Sequence, residues 1–173
     1  EEYVVIADTN IAFSIDFDEV ETFHIEKGAD VTVLTYKVEN PDLKKIVVAQ
    51  DKNKRIKDIR LSVDGDKNSL CDLNIYFIKK DLLISLIDKA YAYGKSDFVR
   101  DILGENLDDL YVMSYEVKDY VAVIDKIQSY FKHSMDLLDP KVRENLFYKN
   151  SKILTKVKDT VPARYGNDAV VKN

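Results

Sequence analysis

Apolar and polar positions divide this chain into short, dense hydrophobic runs separated by charged turns. The first run, "YVVIA" from Tyr3 to Ala7, is continuous and β-branched, the pattern of a strand covered on both faces. A polar break, "DTN", follows, and a helix is predicted to begin at Asp16. Asp16 is its cap, Glu19 completes a capping box, and Gly28 after Lys27 is a stop signal. Phe17, Val20 and Phe23 or His24 recur at helical spacing and are expected to pack on a sheet. "DVTVLTYKV", Asp30 to Val38, is a second buried strand. Strand, helix and strand in this order predict a βαβ unit with parallel strands.

From Lys45 the texture changes. "KIVVAQ" and "RIKDIRLS" flank "DKNK" and read as a hairpin with a polar turn, and "VDGDKNS" reads as a loop. "CDLNIYFI", Cys71 to Ile78, is the next strand. Leu82, Leu83, Leu86, Ile87, Ala90 and Tyr91 form a helical stripe that stops at Gly94. A short helix at Asp97–Leu103 and a strand at Leu110–Val117 follow, and "YVAVID" leads into a helix whose face is Ile127, Tyr130, Phe131, Ser134 and Leu138. Pro140 starts another short helix through Phe147, and the tail from Lys149 reads as an extended linker. The pattern is that of an α/β domain.

Composition narrows the classes. The 173 residues suffice for one domain with its own core. A net charge of −5 argues against a nucleic-acid partner, which needs clustered Lys and Arg. The richest basic run, "KKIVVAQDKNKRIKDIR", is interrupted by Asp51 and Asp58 and reads as a solvated hairpin. The single cysteine, Cys71, has no internal disulfide partner, and a reducing cytoplasm is expected. No apolar run approaches about 18 residues, so no membrane span is expected. The chain opens on "EEYVVIAD" without an initiator Met and ends on "GNDAVVKN", and so reads as a piece of a longer protein.

Chemical motifs are sparse. Five glycines give no phosphate-binding loop, and no Ser or Cys sits in a nucleophile elbow. His24 and His133 lie on predicted helices without a nearby Cys or His and read as helix-surface or half-buried residues. "DGDKNS" lacks the spacing and the distal Glu of a calcium loop. Asp8 and Asn10 stand where a strand ends, the usual place for a catalytic or metal-binding carboxylate in an α/β enzyme.

Four stretches in order carry a resemblance: "HIEKGADVTVL", "DLNIYFIKKDLL", "SDFVRDIL" and "IDKIQSYFKHSMDLL". Together they resemble the nucleotidyltransferase domain of bacterial glucose-1-phosphate adenylyltransferase, or ADP-glucose pyrophosphorylase. The resemblance implies a three-layer, Rossmann-like nucleotide-diphospho-sugar transferase fold with a mixed, mostly parallel sheet. It makes residues 1–148 the C-terminal two-thirds of that domain, without its N-terminal part. Residues 149–173 become a linker toward a left-handed β-helix domain.

Catalytic members of the family transfer an adenylyl group from ATP to glucose 1-phosphate, with Mg²⁺ held by two aspartates. Alignment from Asp16 places Asn10 at the first of these positions, and "VAVID" places Val123 at the second. Asn is a poor ligand for Mg²⁺ and Val is none. Asp8 is the possible substitute at the first position. Leu61 and Ser62 fall where the family has a Glu-Lys pair for the sugar phosphate, with Arg60 or Lys67 as partial compensation. Asn74 replaces a glycine near the glucose site, and Asp72, Asn74 and Arg60 are the substrate-binding candidates.

These departures resemble the noncatalytic regulatory (GlgD) type of the family. That type implies a pseudoenzyme in a cytoplasmic heterotetramer, modulating a catalytic subunit in glycogen synthesis, with ATP or a sugar phosphate as a possible effector. Mg²⁺ would belong to the catalytic members and no cofactor to this piece. The alternative expectation is an active adenylyltransferase that uses Asp8 as metal ligand.

Overall fold

The computed structural model describes residues 2–39, 45–63, 66–150 and 170. Its elements are β1 (Tyr3–Ala7), β2 (Ile11–Phe13), α1 (Phe17–Lys27), β3 (Val31–Val38), β4 (Ile46–Gln50), β5 (Ile56–Leu61) and β6 (Ser69–Lys79). There follow α2 (Lys80–Ala92), β7 (Val112–Glu116), β8 (Val121–Val123), α3 (Ile127–Asp136) and α4 (Pro140–Glu144). Residues Phe98–Leu103 and Asn145–Lys149 form wide, π-helical turns.

The long strand β6 organises the main sheet, whose order is β5-β4-β6-β3-β7 with β1 also paired to β6. Along one edge β6 bonds β3; along the other it bonds β4 at Leu70 and Cys71, then β1 from Ile75 to Lys79. β1 and β3 are both antiparallel to β6, so they run in the same direction, as the βαβ reading requires, but β6 lies between them. The sheet is mixed, yet β3–β7 is its one parallel pair among the described strands. The expectation of a mostly parallel sheet is corrected accordingly: the four other pairings are antiparallel, though only β4–β5 joins strands consecutive in the chain.

Alternation along the strands builds a core on each face of the sheet. Val31 and Val33 of β3 with Tyr76 and Ile78 of β6 pack under Leu86 and Ala90 of α2 and Ile102 and Leu103 of the first π-helical turn. Leu34, Leu73, Ile75 and Phe77 point the other way, against Val20 of α1 and the two-stranded β2–β8 ribbon. The result is three layers. Cys71 is buried, and burial pushes its thiol up to about 11, so it acts as a small apolar side chain.

The helix signals are partly borne out. Asp16 accepts a hydrogen bond from the Asp18 N–H at 2.9 Å, and Gly28 takes φ 61° to close α1. Glu19 does not complete the capping box; its carboxylate accepts the Tyr115 hydroxyl at 3.3 Å. His24 is not half-buried but fully so, its Nδ1 2.9 Å from Thr32 Oγ1 and its ring against Tyr3 and Phe77. Its burial lowers the imidazole pKa. On α2 the stripe is narrower than predicted: Leu86 and Ala90 are buried, whereas Ile87 and Tyr91, one step round the helix, face solvent. On α3 the predicted face exists but Ile127, Tyr130, Phe131 and Leu138 are exposed. No helix among the described residues is long and apolar enough to cross a membrane. The linker reading of 149–173 falls outside the described residues except at Lys149, Asn150 and Val170; Lys149 and Asn150 are tied back to Asp119.

Candidate functional site

Between the last residue of β6 paired to β4 and the first paired to β1 lie Asp72, Leu73 and Asn74. There β4 and β1 diverge, and a cavity of about 560 Å³ opens at the gap. Asp72, Leu73 and Asn74 form one wall, the start of β4 (Lys45, Ile46) another, and Asn10, Ile11, Val123, Asp125 and Lys126 the third. That third wall exists because β2 pairs antiparallel to β8, with Ile11 opposite Val123 and the Ile124 N–H donating to the Asn10 carbonyl at 2.8 Å. Four residues singled out from the sequence, Asn10, Asp72, Asn74 and Val123, thus meet in one cavity.

The β6 wall is a closed polar network. Opposite this stretch β3 contributes fewer residues, a bulge between its Val33/Tyr76 and Thr35/Asp72 pairings. Asn74 adopts φ 52°, the left-handed conformation that glycine takes without strain and Asn tolerates. The turn lets its N–H donate to Asp72 Oδ1 at 2.8 Å, while the Tyr76 hydroxyl donates to Asp72 Oδ2 at 2.6 Å. Asn74 Nδ2 donates to Asp8 Oδ2 at 2.8 Å. Asp72 is 8 % exposed, and burial pushes its carboxyl up to about 6 against the opposing pull of these two hydrogen bonds. The same burial and the neighbouring carboxylate hold the Tyr76 phenol far above its usual range, so it keeps its proton and donates to Asp72.

The ribbon wall is chemically different. It presents a neutral amide (Asn10) and two aliphatic side chains (Ile11, Val123). Among the described residues no group of three or more His, Cys, Asp or Glu could hold a metal ion. A carboxylate-bound Mg²⁺ does not fit this donor set. Asp8 is not among the residues lining the cavity; its carboxylate is engaged by Asn74.

Charge enters from Lys45 and Asp125, two residues that the sequence patterns did not single out. Lys45 Nζ lies 3.0 Å from Asp125 Oδ2, with side chains 21 % and 35 % exposed. Burial opposes the charge on Lys45, but hydrogen bonds and attraction from Asp125 and Tyr36 outweigh it and raise the pKa. Asp125 shifts down, burial again being outweighed by Lys45. Both groups are charged at neutral pH. The legible signal for Asp125 was its place two residues after Val123, just before a predicted helix; Lys45 carried none.

Arg60 is not brought to the cavity. Its guanidinium makes two 2.9 Å hydrogen bonds to Asp66 at the exposed end of β5, holding that carboxyl down to about 2. Leu61 is exposed, and Ser62 is buried with its N–H donating to the Lys45 carbonyl at 2.7 Å. His133 contacts the Tyr120 hydroxyl at 2.7 Å, and that hydroxyl also donates to Asp136 at 2.9 Å, a cluster that anchors α3.

No protein-family model matches the chain. Among curated proteins, it is 28 % identical over 175 residues to the glycogen biosynthesis protein GlgD of Bacillus subtilis (strain 168), covering 100 % of this chain and 41 % of that protein. It is 27 % identical over 178 residues to glucose-1-phosphate adenylyltransferase of Thermosipho melanesiensis, covering 99 % of this chain and 42 % of that one. The enzyme of the same name from Fusobacterium nucleatum is 27 % identical over 176 residues, with 99 % and 46 % covered. The chain therefore spans about two fifths of the length of these relatives. Along that whole span it resembles the glucose-1-phosphate adenylyltransferase and GlgD proteins of bacteria, the resemblance that its motifs carry.

Proposed function

We propose that this chain is part of a noncatalytic, GlgD-type regulatory subunit of glucose-1-phosphate adenylyltransferase, acting in the cytoplasm in bacterial glycogen synthesis. Its role is to modulate a catalytic partner within a heterotetramer, with a phosphorylated sugar or ATP as effector. The observation that carries this reading is the ribbon wall: Asn10 and Val123 meet in the cavity, and neither supplies a carboxylate. Adenylyl transfer needs fixed positive charge on the phosphates, normally a carboxylate-held metal. The similarity to a protein named for glycogen biosynthesis supports the pathway.

The active-enzyme alternative relies on Asp8, and Asp8 is held by Asn74 outside the cavity lining. The test is an assay of the full-length protein with ATP, glucose 1-phosphate and Mg²⁺, alone and with a catalytic partner. The expected result is no ADP-glucose from the protein alone and an altered rate from the pair. Robust turnover by the protein alone would overturn the reading.

A further inference from the structure

A second cavity, of about 860 Å³, adjoins the first at the Lys45–Asp125 ion pair and opens between the ends of β3 and β7 and the flank of α3. None of the β6 residues that wall the strand-end cavity lines it. Its lining includes His133 of α3 and Tyr120 of the β7–β8 loop. The Tyr120 hydroxyl lies 2.7 Å from His133 Nδ1 and donates to Asp136 Oδ2 at 2.9 Å. A phenol has one proton; burial and the Asp136 hydrogen bond raise its pKa, so the proton stays on the hydroxyl and is committed to the carboxylate. His133 Nδ1 must then carry a hydrogen and donate to the phenolic oxygen. That fixes the tautomer. Nε2 is the nitrogen left for another partner, and it has none among the described residues. The ring is held edge-on to Tyr120, with centroids 5.8 Å apart.

We infer that this second cavity binds a phosphate-bearing small molecule, protonated His133 donating to the phosphate through Nε2 with Lys118 and Lys132 beside it. Protonation at Nε2 adds a donor without breaking a contact. Nδ1–H stays on Tyr120, and Asp136, 3.5 Å from the ring, offsets the new charge. The surroundings favour an anion. The described lining holds five lysines and four carboxylates, and Lys149, outside it, is already bonded to one of the four, Asp119. Lys37 comes from β3, Lys118 from the β7–β8 loop and Lys132 from α3, and none of these three has an ion-pair partner among the described residues. Glu39 and Glu116 are the lining carboxylates with no lysine bonded to them. A tetrahedral phosphate has enough acceptor oxygens to be shared by an imidazolium and separate ammoniums, which a carboxylate with two oxygens does not. Tyr120 and Asp136 are positioning residues, acting through His133. The inference rests on the regulatory reading only for what such binding does, not for the binding itself.

The chain has two histidines, and His24, buried in the core, is an internal control for His133. Nitrogen NMR of this chain in chloride is expected to show His133 as the Nδ1–H tautomer. Sulfate is the first probe, because it holds a constant charge while histidine titrates. Exchanging chloride for sulfate at equal ionic strength is expected to raise the His133 midpoint saturably, by about half a pH unit, and to leave His24 unmoved. Inorganic phosphate and glycerol 1-phosphate are expected to move the His133 signals in the same way, and acetate is not. Lys132→Met is expected to weaken sulfate binding about threefold. Tyr120→Phe removes the acceptor for Nδ1–H and is expected to populate the Nε2–H tautomer and shrink the midpoint shift. Unchanged His24 signals establish that both variants fold. An unmoved His133 midpoint, an equal shift at both histidines, an equal effect of acetate, or an Nε2–H tautomer in the parent would each overturn the inference. A shift unaltered by either substitution would reduce it to an adventitious ion only. Any of these failures leaves the regulatory reading to the partner assay, which does not depend on His133.

Discussion

Two walls of one cavity have been treated in opposite ways. The β2–β8 ribbon offers an amide and aliphatic side chains, held by strand pairing and by packing on the core. The β6 wall is over-determined: a bulge, a left-handed Asn74 and hydrogen bonds fix a buried carboxyl that costs stability to ionise. The difference is one of means: hydrogen bonds fix the β6 wall, and apolar packing fixes the ribbon.

The largest effect expected from breaking that contrast is at Asp72. Its folded pKa of about 6 lies above the unfolded value of 3.8, so the folded state binds the proton more tightly. Stability from this group is present below about pH 4, is lost as pH rises through about 6, and stays lost above it. Asp72→Asn, which keeps an acceptor for the Asn74 N–H, is expected to raise stability at pH 7.5 by about 3 kcal/mol and to change little near pH 4. Urea unfolding across pH measures it. His24 acts in the other direction, since its lowered pKa makes stability fall as pH drops below 6.5. The difference between variant and parent at each pH therefore isolates Asp72.

Tyr76→Phe removes the 2.6 Å donor from the same carboxyl and is expected to cost about 2 kcal/mol at pH 7.5, less at pH 5 where Asp72 is protonated. On the other wall, Asn10→Asp with Val123→Asp would install two carboxylates facing the cavity. The double variant is expected to gain a thermal shift of a few degrees with Mn²⁺, of a size set by about RT ln(1 + [L]/Kd), while the parent shows none. An equal shift in the parent would break the reading of the ribbon wall. The smallest effect is at Asn74→Gly. Relief of the left-handed backbone and loss of the bonds to Asp8 and Tyr76 oppose one another, and a change within about 1 kcal/mol is expected.

What the sequence disclosed follows the range of the forces involved. Strand and helix positions, the Asp16 cap and the Gly28 stop depend on neighbours a few residues away, and they were legible. The interposition of β6 between β1 and β3 depends on pairing between residues as far apart as Tyr3 and Lys79, for which local alternation carries no signal. The cavity residues Asn10, Val123, Asp72 and Asn74 were reached through the family resemblance, not through periodicity. Lys45 and Asp125 were missed because their meaning lies in a contact spanning the hairpin and β6. Arg60 looked available from sequence, but Asp66, six residues on, takes up its guanidinium.

The divergence of β4 and β1 along one side of β6 has a consequence for how such a protein can change. The opening is a property of chain routing, written in which strand pairs with which, and no single side chain creates it. Point substitutions can therefore rewrite what the opening accepts without closing it, and chemistry can be lost in a few steps while the vestibule stays. Closing it would require re-pairing a strand, a change far less accessible than replacing an acid by an amide. The opening therefore outlasts the side chains that line it.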